Sequence, residues 1–581
     1  MKLTREILRL AGPSILANIT VPLVGMVDIA VVGHLGGAAA GAAAATGAAA
    51  GAAAAGLSGA ALIGGISVGT MLFDLLYWNF AFLRAGTGGL TAQAYGALMA
   101  SGVDAGSTGG GVLGSNPGGV DARTMGSGPT GAILRRALRL ALLSAFGILL
   151  LQWVVVQAAF LVVQCSPEVQ ALATQYFYIR VWAAPATLSL FAFKGWFIGL
   201  QDSVRPMTAD LLVNGINIVL SVLLSFGLPD LPGIGFEGLR GLGFAGVALG
   251  TVIAQWSGLA YCLLAARHRY GFSLELNLLI LSRLCKINKT NYIIDFSQTP
   301  HNQQLKPQRS DGDTSQPANT TLATEDSAQQ AEAANLAEGN TQQPAGDTPQ
   351  QKADTTPQPP EDATQQPAIT PDGRFFTLNR DLFLRSAGMI AVYIGFTVIG
   401  ATLGDVMLAV SAILMKLLMI FSYFTDGFAY AGEAMTGRYI GEGSKEGVRD
   451  TIRQTFLVSW AVAGFFVLAY GLGGTPLLHL MTSDSGVVEA GKAFLPWLML
   501  MPLIGCPAFV WDGIFIGATA SADLRNSTLL CAVGFFAVWF IGKALMQPLA
   551  PEAGLHILMG AYFMHLAIRS IYLTLRSPSL R

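Results

Sequence analysis

At 581 residues, 52% hydrophobic and only 12% charged, with a mean hydropathy of +0.52, the chain departs from soluble domains, which run nearer a quarter charged. Its net charge of −1 leaves no electrostatic footprint for a nucleic-acid partner. Composition points to a polytopic membrane protein rather than a string of soluble domains.

Apolar runs of bilayer length, roughly 20 residues each, fall at 7–33, 60–95, 136–163, 170–200, 206–228 and 242–266. A second set falls at 381–402, 406–440, 452–479, 491–519, 525–546 and 554–575. The first run is too long and apolar, and lacks a small-residue cleavage site, for a removable signal peptide, so it is expected to stay as a span. It carries Asp28, and Pro22 is expected to kink the helix just before it by removing a backbone hydrogen bond. A carboxylate at membrane depth is costly and is a functional-site hypothesis by default. It is carried cheaply as the neutral acid or bound to a cation, which makes Asp28 a handle for a proton or a sodium ion.

Three segments read as insertions. Residues 36–56 are almost pure Ala and Gly, with helical propensity from the alanines. Residues 97–130 are rich in Gly and Ser and expected to be flexible. Residues 286–372 are rich in Gln, Thr, Pro, Ala and Asp, too polar to offset their ordering entropy, and expected to be disordered. The domains expected are a six-helix lobe at 1–270, a cytoplasmic linker at 271–375 and a second six-helix lobe at 376–581.

Placing the N-terminus in the cytoplasm leaves, of 34 Lys and Arg, only Arg240, Lys492 and Lys543 outside and Arg84, Arg180, Lys194 and Lys416 within spans. That asymmetry follows the positive-inside rule and puts both termini in the cytoplasm. The halves echo each other. Ile7-Leu-Arg9-Leu-Ala11-Gly12 recurs as Phe383-Leu-Arg385-Ser-Ala387-Gly388, and Lys194-Gly195-Trp-Phe197-Ile198-Gly199 as Asp512-Gly513-Ile-Phe515-Ile516-Gly517. Each pair falls in the same span of its half. Both halves start on the same side, so the repeat is parallel. Internal repeats of this kind mark transporters with a site at the repeat interface.

Some patterns carry no chemistry. Gly65-Ile-Ser67-Val-Gly69 lies in an apolar helix without the strand-turn-helix setting of a hydrolase nucleophile. Gly233-Ile-Gly235-Phe-Glu-Gly238 follows no strand, so it reads as a turn rather than a dinucleotide loop. No P-loop is present, the five cysteines read as apolar fillers, and no His or Cys cluster has metal spacing. The chain reads as a non-enzyme with no cofactor beyond a coupling ion.

A polar set in the first half is more specific. Asn214, Asn217 and Ser221 share one face of the fifth span, and Thr251 and Gln255 share a face of the sixth. They are expected to converge with Asp28 into a polar pocket, against the alternative that they merely join helices. Asp426, Glu433, Asp512, Lys194 and Lys416 read as structural pairs or snorkelling ends.

The chain resembles the MATE (multidrug and toxic compound extrusion) family, in its DinF-like branch. The resemblance lies in Pro22-Leu-Val-Gly-Met-Val-Asp28 through Gly36, Phe82-Leu-Arg84-Ala-Gly86 through Gly96, and Gly195-Trp-Phe-Ile-Gly199-Leu-Gln201-Asp202. In the second half it lies in Ser422 through Glu433-Ala and in Asp512 through Thr519. It implies an all-α membrane protein of twelve helices in two six-helix lobes around a central cavity, worked by alternating access. It further implies export of small organic, often cationic, compounds against proton or sodium entry, by a monomer in the inner membrane of a bacterium, among lipids and with no nucleic-acid partner. The resemblance assigns the coupling cation to Asp28, with Asn217 and Thr251 as the matching fifth- and sixth-span residues and Pro13 as a helix-bending proline. The family commonly has a second carboxylate four residues after the fifth-span asparagine. Here that position is Ser221, which argues against a two-carboxylate site and favours a proton over sodium. The alternatives are a lipid or lipid-linked saccharide flippase of the same superfamily and an inactive membrane scaffold.

Overall fold

A computed structural model describes residues 2–46, 59–100, 122–162, 165–227, 241–273, 371–481 and 485–580. Among them there are fifteen α-helices and no strand. The first half comprises α1 (Lys2–Thr46), α2 (Gly59–Trp78), α3 (Phe82–Ala100), α4 (Pro129–Val162), α5 (Pro167–Arg180), α6 (Ala184–Gly199), α7 (Val204–Phe226) and α8 (Phe244–Tyr270). The second comprises α9 (Pro371–Ala401), α10 (Asp405–Gly441), α11 (Lys445–Met481), α12 (Ser485–Lys492), α13 (Leu495–Gly517), α14 (Ser521–Leu545) and α15 (Pro551–Arg576).

Single 3-10 turns at Asn79–Ala81 and Val181–Ala183 join α2 to α3 and α5 to α6, so each pair makes one long span. Eleven segments are long and apolar enough to cross a bilayer, and α1 supplies the twelfth. Helix ends follow their sequences. Ser166 caps α5, accepting a hydrogen bond from the Val169 amide, with Pro167 in the first turn. At the end of α8, Arg267, His268 and Arg269 face the negative helix terminus, and Gly271 closes it in the left-handed conformation, φ +64°.

The expected inserts fall partly outside the described residues. α1 runs on into the Ala-rich stretch as far as Thr46, while 47–58, 101–121 and 274–370 lie outside. α1 is helical through both Pro13 and Pro22.

The parallel repeat is visible in the packing. Gly195 and Gly199 of α6 lie against the backbone of α3 at Arg84 and Gly88, while Gly513 and Gly517 of α13 lie against α10 at Ala429 and Glu433. The spacing of four is kept on both sides of both contacts. The repeat extends to backbone conformation: Gln201 and Thr519, each two residues past the second glycine, both have positive φ, +61° and +55°.

The two halves meet at the end that carries the N-terminus. There the Gln93 amide donates to the Gly517 carbonyl (3.0 Å) and to Thr519 (3.1 Å), and Arg438 donates to Gln201 (3.2 Å). Gly96 lies against the Arg438 carbonyl and Gly441 against that of Gln93. No side chain fits at either position, so α3 and α10 touch backbone to backbone. Toward the far end the last described polar or ring contacts between the halves are Asn18 Nδ2 to the Tyr423 carbonyl (3.3 Å) and Trp78 against Tyr393 (5.0 Å between ring centres). The described residues thus form a bundle closed at the N-terminal end.

Candidate functional site

Asp28 lies on α1 with its side chain turned into the first lobe, 8% exposed. The Ser221 hydroxyl on α7 is 3.1 Å from its Oδ1 and 3.2 Å from Asn217 Oδ1. Asn217 Nδ2 donates to Thr251 Oγ1 on α8 (2.8 Å), and the Thr251 hydroxyl donates to the Val247 carbonyl (3.1 Å). Ser221, Asn217 and Thr251 are all buried.

A hydroxyl carries one proton, so Ser221 cannot donate to Asp28 and Asn217 together. If Asp28 is protonated, it donates to Ser221, Ser221 donates to Asn217, and the chain runs in one direction to the Val247 carbonyl, with each hydroxyl on it donating one bond and accepting one. If Asp28 is ionised, Ser221 turns to it and Asn217 Oδ1 loses its donor. The protonation state of one carboxyl thereby sets the orientation of bonds across α1, α7 and α8. Arg180, at the end of α5, places positive charge within electrostatic reach of Asp28.

Asn214 sits one turn nearer the closed end. It donates to Thr20 Oγ1 of α1 at 2.7 Å, and Thr20 in turn donates to the Ala17 carbonyl (2.7 Å). It joins α1 to α7 rather than reaching Asp28. Gln255 is half-buried on α8 and is not bonded to the Asp28 chain. Of the expected pocket residues, the structure brings Asp28, Ser221, Asn217 and Thr251 into one chain, turns Asn214 to Thr20 instead, and leaves Gln255 apart.

The buried charges of the second half are mostly paired. Arg84 of α3 bonds Glu433 of α10 across the halves at 3.0 Å, with its guanidinium 4.3 Å from the centre of the Tyr430 ring. Asp512 of α13 takes both Arg385 of α9 and Arg569 of α15, the last through Nε at 2.9 Å. Lys194 of α6 pairs with Asp210 of α7. Pairing is the fate expected of Glu433, Asp512 and Lys194. Two residues depart from it. Asp426 is half-buried with no hydrogen bond of its own among the described residues, and Lys416 is exposed and likewise unpaired. The sequence reasoning missed Arg385 and Arg569 as partners. Their signal was their position: Arg385 lies inside the apolar run at 381–402 and Arg569 inside that at 554–575.

The MatE family model matches residues 129–223 and 382–541. The chain is 28% identical to the DNA damage-inducible protein F of Escherichia coli strain K12, over 97% of this chain and 90% of that one. Among solved structures it superposes on an outward-facing multidrug resistance MATE family transporter of the MOP superfamily with a TM-score of 0.63 at 14% identity, covering 100% of this chain and 97% of the other. It superposes equally on the bent form of the Vibrio cholerae MATE transporter VcmN, TM-score 0.63 at 12% identity, covering 100% and 98%. Both likenesses speak to the fold. Twelve apolar spans, a parallel repeat kept in packing and backbone, a MatE family match in both halves and a relative matched over nearly its whole length agree: the chain is similar to the MATE family of multi-pass membrane transporters, and is a transporter rather than an enzyme.

Proposed function

We propose that the protein is a proton-coupled antiporter that exports small organic compounds by alternating access, with Asp28 as the coupling carboxyl. The carrying observation is the one-way chain from Asp28 through Ser221, Asn217 and Thr251 to the Val247 carbonyl, in which both hydroxyls donate and accept when Asp28 bears a proton. A sodium ion wants several oxygen ligands, and with Ser221 in place of a second carboxylate the site supplies one charged group. The Lys and Arg distribution supports a cytoplasmic N-terminus in a bacterial inner membrane. In that orientation the closed end is the cytoplasmic one and the bundle faces outward.

A pyrophosphate-carrying flippase would need several unpaired basic side chains deep in the cleft, and Lys416 alone is unpaired there among the described residues. Arg84, Arg385 and Arg569 are each bonded to a carboxylate, which favours the exporter.

The test is proton flux in proteoliposomes under an imposed pH gradient, read with a trapped pH dye while organic compounds are added. Substrate-induced proton release by the wild type, absent from empty liposomes and indifferent to sodium, is expected. Flux that needs sodium, or no flux with any compound of a broad panel, rejects the proposal.

A further inference from the structure

Lys416 stands about a third of the way along α10, an apolar helix of 37 residues. It is exposed and forms no ion pair among the described residues. An ammonium at membrane depth needs water, a partner, or a route to the headgroups. Which of these applies is decided by the direction in which it points.

Lys416, Tyr423, Gly427, Tyr430 and Ala434 recur at spacings of seven, four, three and four and so share one face of the helix. Four of the five are in contact with the other half. The Tyr423 carbonyl accepts from Asn18, Gly427 lies against Ile15 and the Ala11 carbonyl, Tyr430 lies under Arg84, and Ala434 belongs to one buried cluster with Ile7, Leu10 and Ala11. Lys416 continues that line past the last contact between the halves. It therefore points across the interlobe cleft and not at lipid, so the snorkelling expected from the sequence does not apply.

Its depth matches that of the coupling site. Lys416 is eleven residues from Gly427, about 16 Å along the helix at 1.5 Å per residue. Asp28 is thirteen residues from Ile15, which packs on Gly427, or about 20 Å in the same direction. One wall of the cleft thus presents a free ammonium at the level where the other wall holds a carboxyl turned inward onto Ser221.

We infer that Lys416 is a substrate-recognising residue, and that the substrates it selects carry an anionic group, a carboxylate or sulfonate on an amphipathic organic body, so that they are organic anions or zwitterions rather than simple cations. A free ammonium in the cleft repels a purely cationic compound and offers three donors to an oxyanion. This inference rests on the export reading above but concerns binding, which needs no gradient.

The test compares two dyes that differ at one group: rhodamine 19, a zwitterion with a free carboxylate, and rhodamine 6G, its cationic ethyl ester. Binding to purified protein in nanodiscs is followed by fluorescence anisotropy for the wild type, Lys416→Met and Lys416→Arg. Lys416→Met is expected to weaken the acid by about tenfold or more, the scale of a charge-assisted hydrogen bond, and to leave the ester's affinity unchanged or raised, since the repelling charge is gone. Lys416→Arg is expected to retain most of the acid's affinity. Equal losses for acid and ester, an unchanged acid affinity, or no binding of the acid by folded wild-type protein overturns the assignment. Failure of proton coupling would show instead in the flux assay, with the binding contrast intact.

Discussion

Replacing Asp28 in two ways separates its hydrogen-bonding role from its proton-carrying role. In Asp28→Asn, the side-chain amide donates to Ser221 Oγ, Ser221 donates to Asn217 Oδ1, and the chain to Thr251 and the Val247 carbonyl keeps the orientation of the protonated state. No buried group loses a partner, so stability should stay close to wild type. In Asp28→Ala, Ser221 loses one of its two neighbours in a site 8% exposed or less, and a small cavity opens between α1 and α7. An unmet buried polar group costs about 1–3 kcal/mol, and the thermal midpoint should fall accordingly. Transport should fail in both. One proton per cycle converts each pH unit, about 1.4 kcal/mol, into about tenfold accumulation of substrate. Both variants should show no gradient-driven accumulation. The assay is dye accumulation in proteoliposomes at one and two units of pH gradient, alongside thermal melting in detergent and dye binding. Accumulation by Asp28→Asn that still rises with the gradient would refute the assignment of the coupling proton. An Asn variant as unstable as the Ala variant would refute the directed chain.

Further predictions concern the seam and the energetics of exchange. Gly441→Ala places a methyl against the Gln93 carbonyl across the halves, so spin-label distances across the N-terminal end should lengthen and the population open at that end should grow; an unchanged distance distribution would show that α3 and α10 do not set this closure. Arg84→Met strands Glu433, which is 0% exposed. Breaking a buried pair by removing one partner costs about 3–5 kcal/mol, and Arg84→Met with Glu433→Gln should recover much of the stability lost in the single variant, as read by thermal melting. Exchange of one proton for a zwitterion moves one net charge, worth about 2.3 kcal/mol per 100 mV, whereas exchange for a monovalent cation moves none. Accumulation of rhodamine 19 should therefore respond to an imposed potassium-diffusion potential at fixed pH gradient, and accumulation of rhodamine 6G should not. Potential dependence for the cationic ester would demand a second coupling ion.

Bilayer thickness imposes a length and an apolarity that can be counted along the chain, so the twelve spans and their grouping in two halves were legible without coordinates, and echoed motifs in matching spans showed the parallel repeat. The sequence also singled out Asp28, since a carboxylate within an apolar run stands out without any structure, and the helical spacing of Asn214, Asn217 and Ser221 placed them on one face. Tertiary structure decided which of those residues meet. Asn217, Ser221 and Thr251 join Asp28, while Asn214 turns to Thr20 and Gln255 stays apart, because helix rotation and tilt are set by packing against neighbours and not by spacing within one span. The charges in the second half show the same limit. Asp512 and Glu433 found arginines on helices distant in the chain, and Lys416 found no carboxylate among the described residues, although all three read alike as lone charges in apolar runs. The closed seam was also beyond the sequence: Gly96 and Gly441 are two among 69 glycines, and only the approach of α3 to α10 shows that at these two a side chain has no room.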